Sequence, residues 1–431
     1  MHRKTFKPTR WRGFEIRAIW SANRDNKMNE TKLKRYISLP ALFLYGLGTM
    51  VGGGFYALSG KIAGMAGMAA PLAFLLSGLL AFLNVFTFAE LSSRYPVSAG
   101  EAKYVDEAFR SKWFSGLIGW LVILTGVVSA ATLSVATIAF LQDLITVPET
   151  TALLVLILLM GLICAWGVGK SVKAVITITI IEVGALFYIL FSKGENLSRI
   201  PDILGNLEMH FADGFPIFGI VSGAFLAFYA FIGFEDMVNM AEEVKKVKTS
   251  LPIAMIWAVV GTTLLYVLVV TTMILTVAPA ELAEANAPLA KIIESDGLMA
   301  SKIFIVISML TGINGALVQI VMSSRVLYGL GKEKKAPKIF AKVHRKTKTP
   351  LQATFLATAI VLGLAMYFPL IGLAEATSFI ILIVFSILNV ALITIKIRAD
   401  EVAPNSKTYP IWLPFSALTA CLGILVFRIF G

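Results

Sequence analysis

The chain has 431 residues, of which 57% are hydrophobic and only 15% charged. Soluble globular proteins carry about 25% charged residues, so this composition excludes a soluble protein and indicates an integral membrane protein. The net charge of +12 is distributed as a membrane topology, which argues against a nucleic-acid partner.

Residues 1–38 form a basic arm with aromatics at Trp11, Phe14 and Trp20. It contains no apolar signal-peptide core. The arm reads either as an amphipathic segment on anionic lipid or as a tail ahead of a later start at Met28. Eleven apolar segments follow, near 39–60, 68–90, 113–141, 150–168, 171–192, 215–240, 252–277, 299–330, 351–368, 371–394 and 410–430. Each is long enough for a spanning helix, which needs roughly 20 mainly apolar residues. With the N-terminus inside, the cytoplasmic segments hold 32 of the 38 lysines and arginines; the rest are Lys61, Lys193, Arg199, Lys291, Lys302 and Arg428. This bias is expected of a multi-pass protein of a plasma or inner membrane with a cytoplasmic N-terminus. Eleven spans put the C-terminus outside.

The sequence offers little for catalysis. Cys164 and Cys421 lie in spans and cannot build a disulfide framework or a four-ligand zinc site. His2, His210 and His344 fall outside the spans. There is no HExxH helix, Walker A loop or glycine-rich phosphate fingerprint. No enzyme, cofactor or metal is therefore expected.

Two spans carry the functional signal. Gly52-Gly53-Gly54 interrupts the first, LPALFLYGLGTMVGGGFYAL. An opened helix in a bilayer survives only where it is buried in protein or lines a cavity. Glycine also lets neighbouring helices approach closely, which is the competing explanation. The sixth span carries Glu235 and Asp236 just after Gly233. Acids inside a span are costly and point to function, here ion or proton coupling by Glu235. The alternative puts both acids near the cytoplasmic end, facing water or capping a half-helix. Interrupted helices five spans apart point to inverted repeats. Asn314, in the eighth span, either lines the resulting cavity or bonds a neighbouring helix.

Several motifs then share one resemblance. Gly48-Thr49-Met50-Val51-Gly52-Gly53-Gly54-Phe55 is a first-helix turn. Ala89-Glu90-Leu91-Ser92-Ser93-Arg94-Tyr95-Pro96, with Ser98-Ala99-Gly100-Glu101, follows the second helix. Ala230-Phe231-Ile232-Gly233-Phe234-Glu235 marks the sixth-helix break. Ala241-Glu242-Glu243-Val244-Lys245 with Leu251-Pro252 follows it, and Ser324-Arg325-Val326-Leu327-Tyr328 ends the eighth helix. In this order the motifs resemble amino acid permeases of the amino acid–polyamine–organocation superfamily. The resemblance implies an all-α, LeuT-type inverted-repeat core of five plus five helices, broken at helices 1 and 6. That core would run over 39–398, with repeats at 39–192 and 215–398, and residues 399–431 would add helix 11. The family usually has twelve helices.

The implied function is secondary active transport of amino acids by alternating access, with proton coupling or exchange and, less expected, sodium. Backbone N–H groups of Gly52, Gly53 and Gly54 would hold the substrate carboxylate, helped by the half-helix dipole. Carbonyls at Phe228, Ala230 and Phe231 would hold the ammonium, and Tyr229 stands where relatives place an aromatic gate. Glu182 falls where many sodium-independent relatives carry a lysine. A glutamate there can carry a coupling proton or pair with a cation, or be a purely structural group. Polyamines or other organic cations are the alternative substrates. A channel or an amino-acid-binding receptor is the alternative of another class.

Overall fold

The computed structural model describes residues 35–97, 100–167, 172–201, 205, 217–399 and 404–430. Residues 1–34 of the basic arm, with the alternative start at Met28, and Ser98, Ala99, Ser171 and His210 lie outside these residues. The described chain is all-α apart from 3-10 turns and one isolated bridge. Among the described residues, nine helices are long and apolar enough to cross a membrane.

The first span is two helices, not one. Helix α1 (Leu39–Met50) begins with Pro40 in its first turn, where a missing N–H costs nothing. It stops at Val51, and Gly52 is extended. Helix α2 (Gly53–Ala66) then restarts with no side-chain cap. Helix α3 (Ala70–Arg94) returns across the bundle, and the short amphipathic α4 (Gly100–Phe109) follows it. Its ten residues are too few and too polar to span a membrane. The long α5 (Lys112–Gln142), α6 (Glu149–Trp166) and α7 (Val172–Lys193) complete the first half.

The sixth span is also interrupted. Helix α8 (Ile217–Phe228) tightens into a 3-10 turn at Tyr229–Phe231. Ile232 is extended, Gly233 has φ +133°, and a second 3-10 segment runs Glu235–Met240. The Glu235 carboxylate accepts the Gly233 N–H at 2.8 Å, so this acid satisfies the donor that the break exposes. Helices α9 (Val247–Thr276), α10 (Pro279–Glu284) and α11 (Pro288–Ile292) follow. The long α12 (Leu298–Lys332), α13 (Leu351–Tyr367), α14 (Leu370–Ile397) and α15 (Trp412–Phe430) close the chain.

Packing divides these elements into recognisable pairs. Helix α12 lies along α5, and α9 lies along α3 and α1. The start of α1 is tied to the end of the sixth span by a parallel bridge between Ile37 and Val244. Polar side chains join helices inside the apolar bundle, as expected where no water competes. Thr87 donates to Asn389 Oδ1 at 2.5 Å, and Asn389 Nδ2 donates to Asn84 Oδ1 at 2.8 Å. Asn84 Nδ2 in turn reaches Cys421 Sγ at 3.2 Å, joining α3, α14 and α15. The α10–α11 hairpin sits directly on α2. A Cβ on Gly60 would lie 2.1 Å from the Leu282 carbonyl oxygen, and Lys61 Nζ donates to the Ala283 carbonyl.

Helix α4 carries one titratable group of interest. Glu101 is buried, and loss of water pushes its carboxyl from 4.5 up to about 7, with Asp236 nearby adding repulsion. The folded protein therefore holds a proton that the unfolded chain releases near 4.5. Stability from this group is full below that value and falls as pH rises toward 7. Glu101→Gln removes the ionisation. Its melting temperature is expected to exceed the wild type's at pH 8 and to match it at pH 4.5, an effect on the order of 2–3 kcal/mol. Equal melting curves at pH 8 would refute the assignment.

Candidate functional site

The two breaks meet at the centre of the bundle. Thr49 Oγ1 reaches the carbonyls of Gly46 and Gly233, each at 3.0 Å. Tyr266, on α9, donates to Met50 O at 2.8 Å and lies 3.2 Å from Ala230 O. One hydroxyl thus faces a carbonyl from each broken helix, and Met50 O also accepts the Gly52 N–H at 2.7 Å. Its ring stacks on Phe55 with centroids 4.0 Å apart. Nothing in the local sequence singles out Tyr266, which is one aromatic among many; only the tertiary arrangement reveals it.

A cavity of about 50 Å³ lies beside the paired breaks. At roughly 10–15 Å³ per water, it has room for about four waters. Gly48 to Met50 and Gly52 to Gly54 form one wall, Ser129 and Leu133 of α5 another. Val175 comes from α7, and Tyr229, Ile232 and Asp236 come from the sixth span. Thr311, Asn314, Gly315, Val318 and Gln319 of α12 close it.

The three glycines have different surroundings. A Cβ on Gly52 would meet nothing closer than Thr49 O at 3.9 Å, so this residue faces open space. A Cβ on Gly53 would lie 2.8 Å from Gly312 Cα, so Gly53 also lets α2 approach α12. A Cβ on Gly54 would lie 2.8 Å from the Tyr229 ring. The first N–H groups of α2 have no intrahelical partner and no side-chain cap.

Tyr229 crosses the site. Its ring covers Gly54, and its hydroxyl lies 3.0 Å from Ser129 Oγ and 3.2 Å from Ser129 O. Asn314 lines the cavity. Phe228, Ala230 and Phe231 do not. Phe228 packs edge-on against Phe385, Phe231 packs edge-on against Tyr266, and the Ala230 carbonyl faces the Tyr266 hydroxyl. The sixth-span lining comes instead from Tyr229, Ile232 and Asp236.

The acids also fall differently from the sequence reading. Glu235 is buried as the cap of the Gly233 N–H, outside the cavity lining. Asp236, expected near the cytoplasmic end of the span facing water or capping a half-helix, lines the cavity and accepts from Gln319 Nε2 at 3.2 Å. Gln319 carried a usable signal, an amide inside a span. Glu182 lies outside the cavity lining, 1% exposed, and neither of its carboxyl oxygens has a hydrogen-bond partner among the described residues. Its main-chain carbonyl accepts the Tyr56 hydroxyl at 2.7 Å, which anchors α7 to α2 just beyond the first break.

A polytopic helical bundle whose two interrupted helices meet at a small polar cavity defines a membrane protein of the permease type. The amino acid permease family profile matches residues 37–431. The chain belongs to that family. It is 26% identical over 402 residues to the mitochondrial cationic amino acid transporter 3 of Arabidopsis thaliana, covering 86% of this chain but 64% of that protein. It is 26% identical to the methylthioribose transporter of Bacillus subtilis strain 168 over 87% of this chain and 84% of the relative. It is 26% identical to the branched-chain amino acid permease BcaP of the same organism, over 92% and 89%. The family and these relatives are permeases and transporters, not enzymes.

Proposed function

We propose that this chain is a secondary active transporter of amino acids, working by alternating access with proton coupling or exchange. The observation that carries the reading is the uncapped start of α2, which meets the cavity beside the open face of Gly52. The N–H groups and dipole there suit a carboxylate. Asn314 and Asp236 supply acceptors for an ammonium in the same cavity. The breaks in the first and sixth spans support reading 39–192 and 215–398 as inverted repeats. The basic connections support a cytoplasmic N-terminus in a plasma or inner membrane.

The relatives' names cover cationic amino acids, branched-chain amino acids and methylthioribose. The Gly52 N–H is taken by Met50 O at 2.7 Å, so the backbone donors left for the main chain common to all amino acids are those of Gly53 and Gly54, which leave the side chain open. Asp236 in the cavity favours organic cations as the second reading. Uptake of individual labelled amino acids into proteoliposomes preloaded with mixed unlabelled amino acids tests the proposal. Accumulation abolished by the matching unlabelled competitor supports it. No uptake of any amino acid by folded protein refutes it, and uptake of amines alone supports the second reading.

Glu182 is the proposed coupling group. A buried carboxyl without a partner must carry a proton or meet a cation, and here it sits against the anchor between α7 and α2. Glu182→Gln is expected to leave exchange intact and to remove the acceleration of uptake by an inward proton gradient. A gradient response unchanged in the variant would sink this assignment. A response to a sodium gradient in the wild type would replace the proton with sodium.

A further inference from the structure

Residues 332–348, which lead from the end of α12 towards α13, hold eight lysines and arginines and one acid, Glu333. Two of the eight are engaged. Lys335 Nζ bonds Glu333 Oε2 at 2.6 Å and Ser115 Oγ at 2.9 Å, and Lys332 lies over the Tyr328 ring. The other six, Lys334, Lys338, Lys342, Arg345, Lys346 and Lys348, are exposed. Among the described residues, none of these six side chains has a hydrogen-bond or ion-pair partner. The segment that carries them is folded. A 3-10 turn at Lys338–Ala341 lies against the end of α12, where a Cβ on Gly331 would stand 2.9 Å from the Ala341 nitrogen. A second turn is closed by the His344 N–H on Thr349 O at 2.9 Å and the Lys348 N–H on His344 O at 3.0 Å. Like charges held on one scaffold repel one another. An anionic partner relieves that repulsion without first having to order the segment.

Two exposed tryptophans set the depth of this scaffold. Trp120 Nε1, on α5, donates to Lys335 O at 3.4 Å. Thr349 Oγ1 donates to Ala165 O at 2.8 Å, beside Trp166 at the end of α6. Exposed tryptophans near the ends of spanning helices mark the headgroup level of a bilayer. Helix α5 has 31 residues and is therefore about 46 Å long. It overhangs a hydrocarbon core of about 30 Å, so its first turns stand among headgroups. Ile339 and Val343, four residues apart on the same segment, are exposed as well. Apolar and basic side chains displayed together suit a surface that lies on lipid.

We propose that the α12–α13 connection is a binding surface for anionic phospholipid, its six unpaired cations taking the headgroup charge of the adjoining leaflet. The depth of the segment favours lipid over a soluble acidic protein, which would have to displace headgroups to reach cations beside Trp120 and Trp166. The surface is separate from the cavity at the breaks, and neither its existence nor its test depends on transport.

The test uses the full chain in neutral-detergent micelles, titrated with pyrene-labelled phosphatidylglycerol or phosphatidylcholine. Energy transfer from the tryptophans reads binding. A basic side chain near a lipid surface strengthens anionic binding roughly fivefold. The wild type is therefore expected to prefer phosphatidylglycerol by about tenfold or more, and to lose most of that preference when salt is raised from about 0.05 M to about 0.5 M. K338Q/K342Q/R345Q/K346Q is expected to lose the preference at low salt. K338R/K342R/K346R keeps the charge and is expected to keep the preference. Melting temperatures in phosphatidylcholine check folding, and K342Q/K346Q, expected to lose about half of the effect on a logarithmic scale, decides if the fourfold variant melts early. A preference that survives in folded glutamine variants overturns the proposal, because the charge would then lie elsewhere. Loss of the preference in the arginine variant also overturns it. So does displacement of the labelled lipid by soluble glycerol phosphate as effectively as by unlabelled phosphatidylglycerol, which would make the surface a site for free anions. A wild type that prefers neither lipid refutes it too, and leaves the cations to an acidic protein.

Discussion

Gly233→Ala is expected to abolish uptake and to lower stability by several kcal/mol, on the order of 3–5. Two independent costs add at this position. The backbone has φ +133°, a conformation that residues with a Cβ rarely adopt. The new methyl would also lie 2.4 Å from the Thr49 carbonyl oxygen and 2.6 Å from its carbon. Both contacts are backbone, so no side-chain rotation relieves them. Separating the chains breaks the Thr49 hydroxyl bond to Gly233 O and disturbs the Glu235 cap on Gly233 N–H. Tyr266 then loses the geometry that lets it face both breaks at once. Uptake in proteoliposomes and the melting temperature would be measured together. Gly363→Ala is the control, because its added Cβ meets nothing within 4 Å and it lies within α13. Wild-type uptake by G233A would show that the breaks tolerate separation and would remove them as the site's framework.

The spans were legible because their signal is local and strong. Each of the eleven apolar segments contains helix, and even the interruption at Gly52–Gly54 was visible as glycine inside an apolar run. The interruption of the sixth span was visible in Gly233 and in the acids beside it. What those acids do was not. Alternating roles for Glu235 and Asp236 depend on which way each points after a φ of +133° has turned the chain, and a sequence pattern does not carry that angle. Ahead of Gly233, the 3-10 turn at Tyr229–Phe231 and the extended Ile232 leave Phe228, Ala230 and Phe231 facing the core while Tyr229 and Ile232 face the cavity. Ser129, Thr311 and Gln319 come from two other helices. They enter the cavity because α5 and α12 pack along each other, a relation between residues about 180 positions apart. Helix α4 was missed for a different reason: a ten-residue amphipathic helix lacks the length that identifies a span.

Glu90→Ala is expected to be the most destabilising side-chain change in the bundle, about 3–5 kcal/mol. The Glu90 carboxylate is fully buried and takes four contacts. Arg94 donates through Nε at 3.0 Å and Nη2 at 2.7 Å. Lys396 Nζ lies 2.8 Å away, and the Tyr409 N–H donates at 2.9 Å. One carboxylate thus fastens the end of α3 to the end of α14 and to the segment that leads into α15. Removing it leaves Arg94 and Lys396, whose side chains are 8% and 11% exposed, without this counter-charge, although Lys396 keeps the Tyr409 carbonyl, and a buried charge deprived of its counter-charge costs more than the pair contributed. Glu90→Gln keeps an acceptor and the volume but loses the charge, so it is expected to fall between wild type and alanine. Combining E90A with Lys396→Ala removes one stranded cation and is expected to recover part of the loss. Melting temperatures of the three variants and the wild type decide the matter. If E90A melts with the wild type, water reaches Arg94 and Lys396, and the network is a surface feature. If the double variant is no better than E90A, the cost lies in the lost Tyr409 bond and the cavity rather than in unpaired charge. The expected recovery would identify the carboxylate's role as electrostatic: it lets two basic residues near the ends of α3 and α14 be buried between them, holding α15 against the bundle.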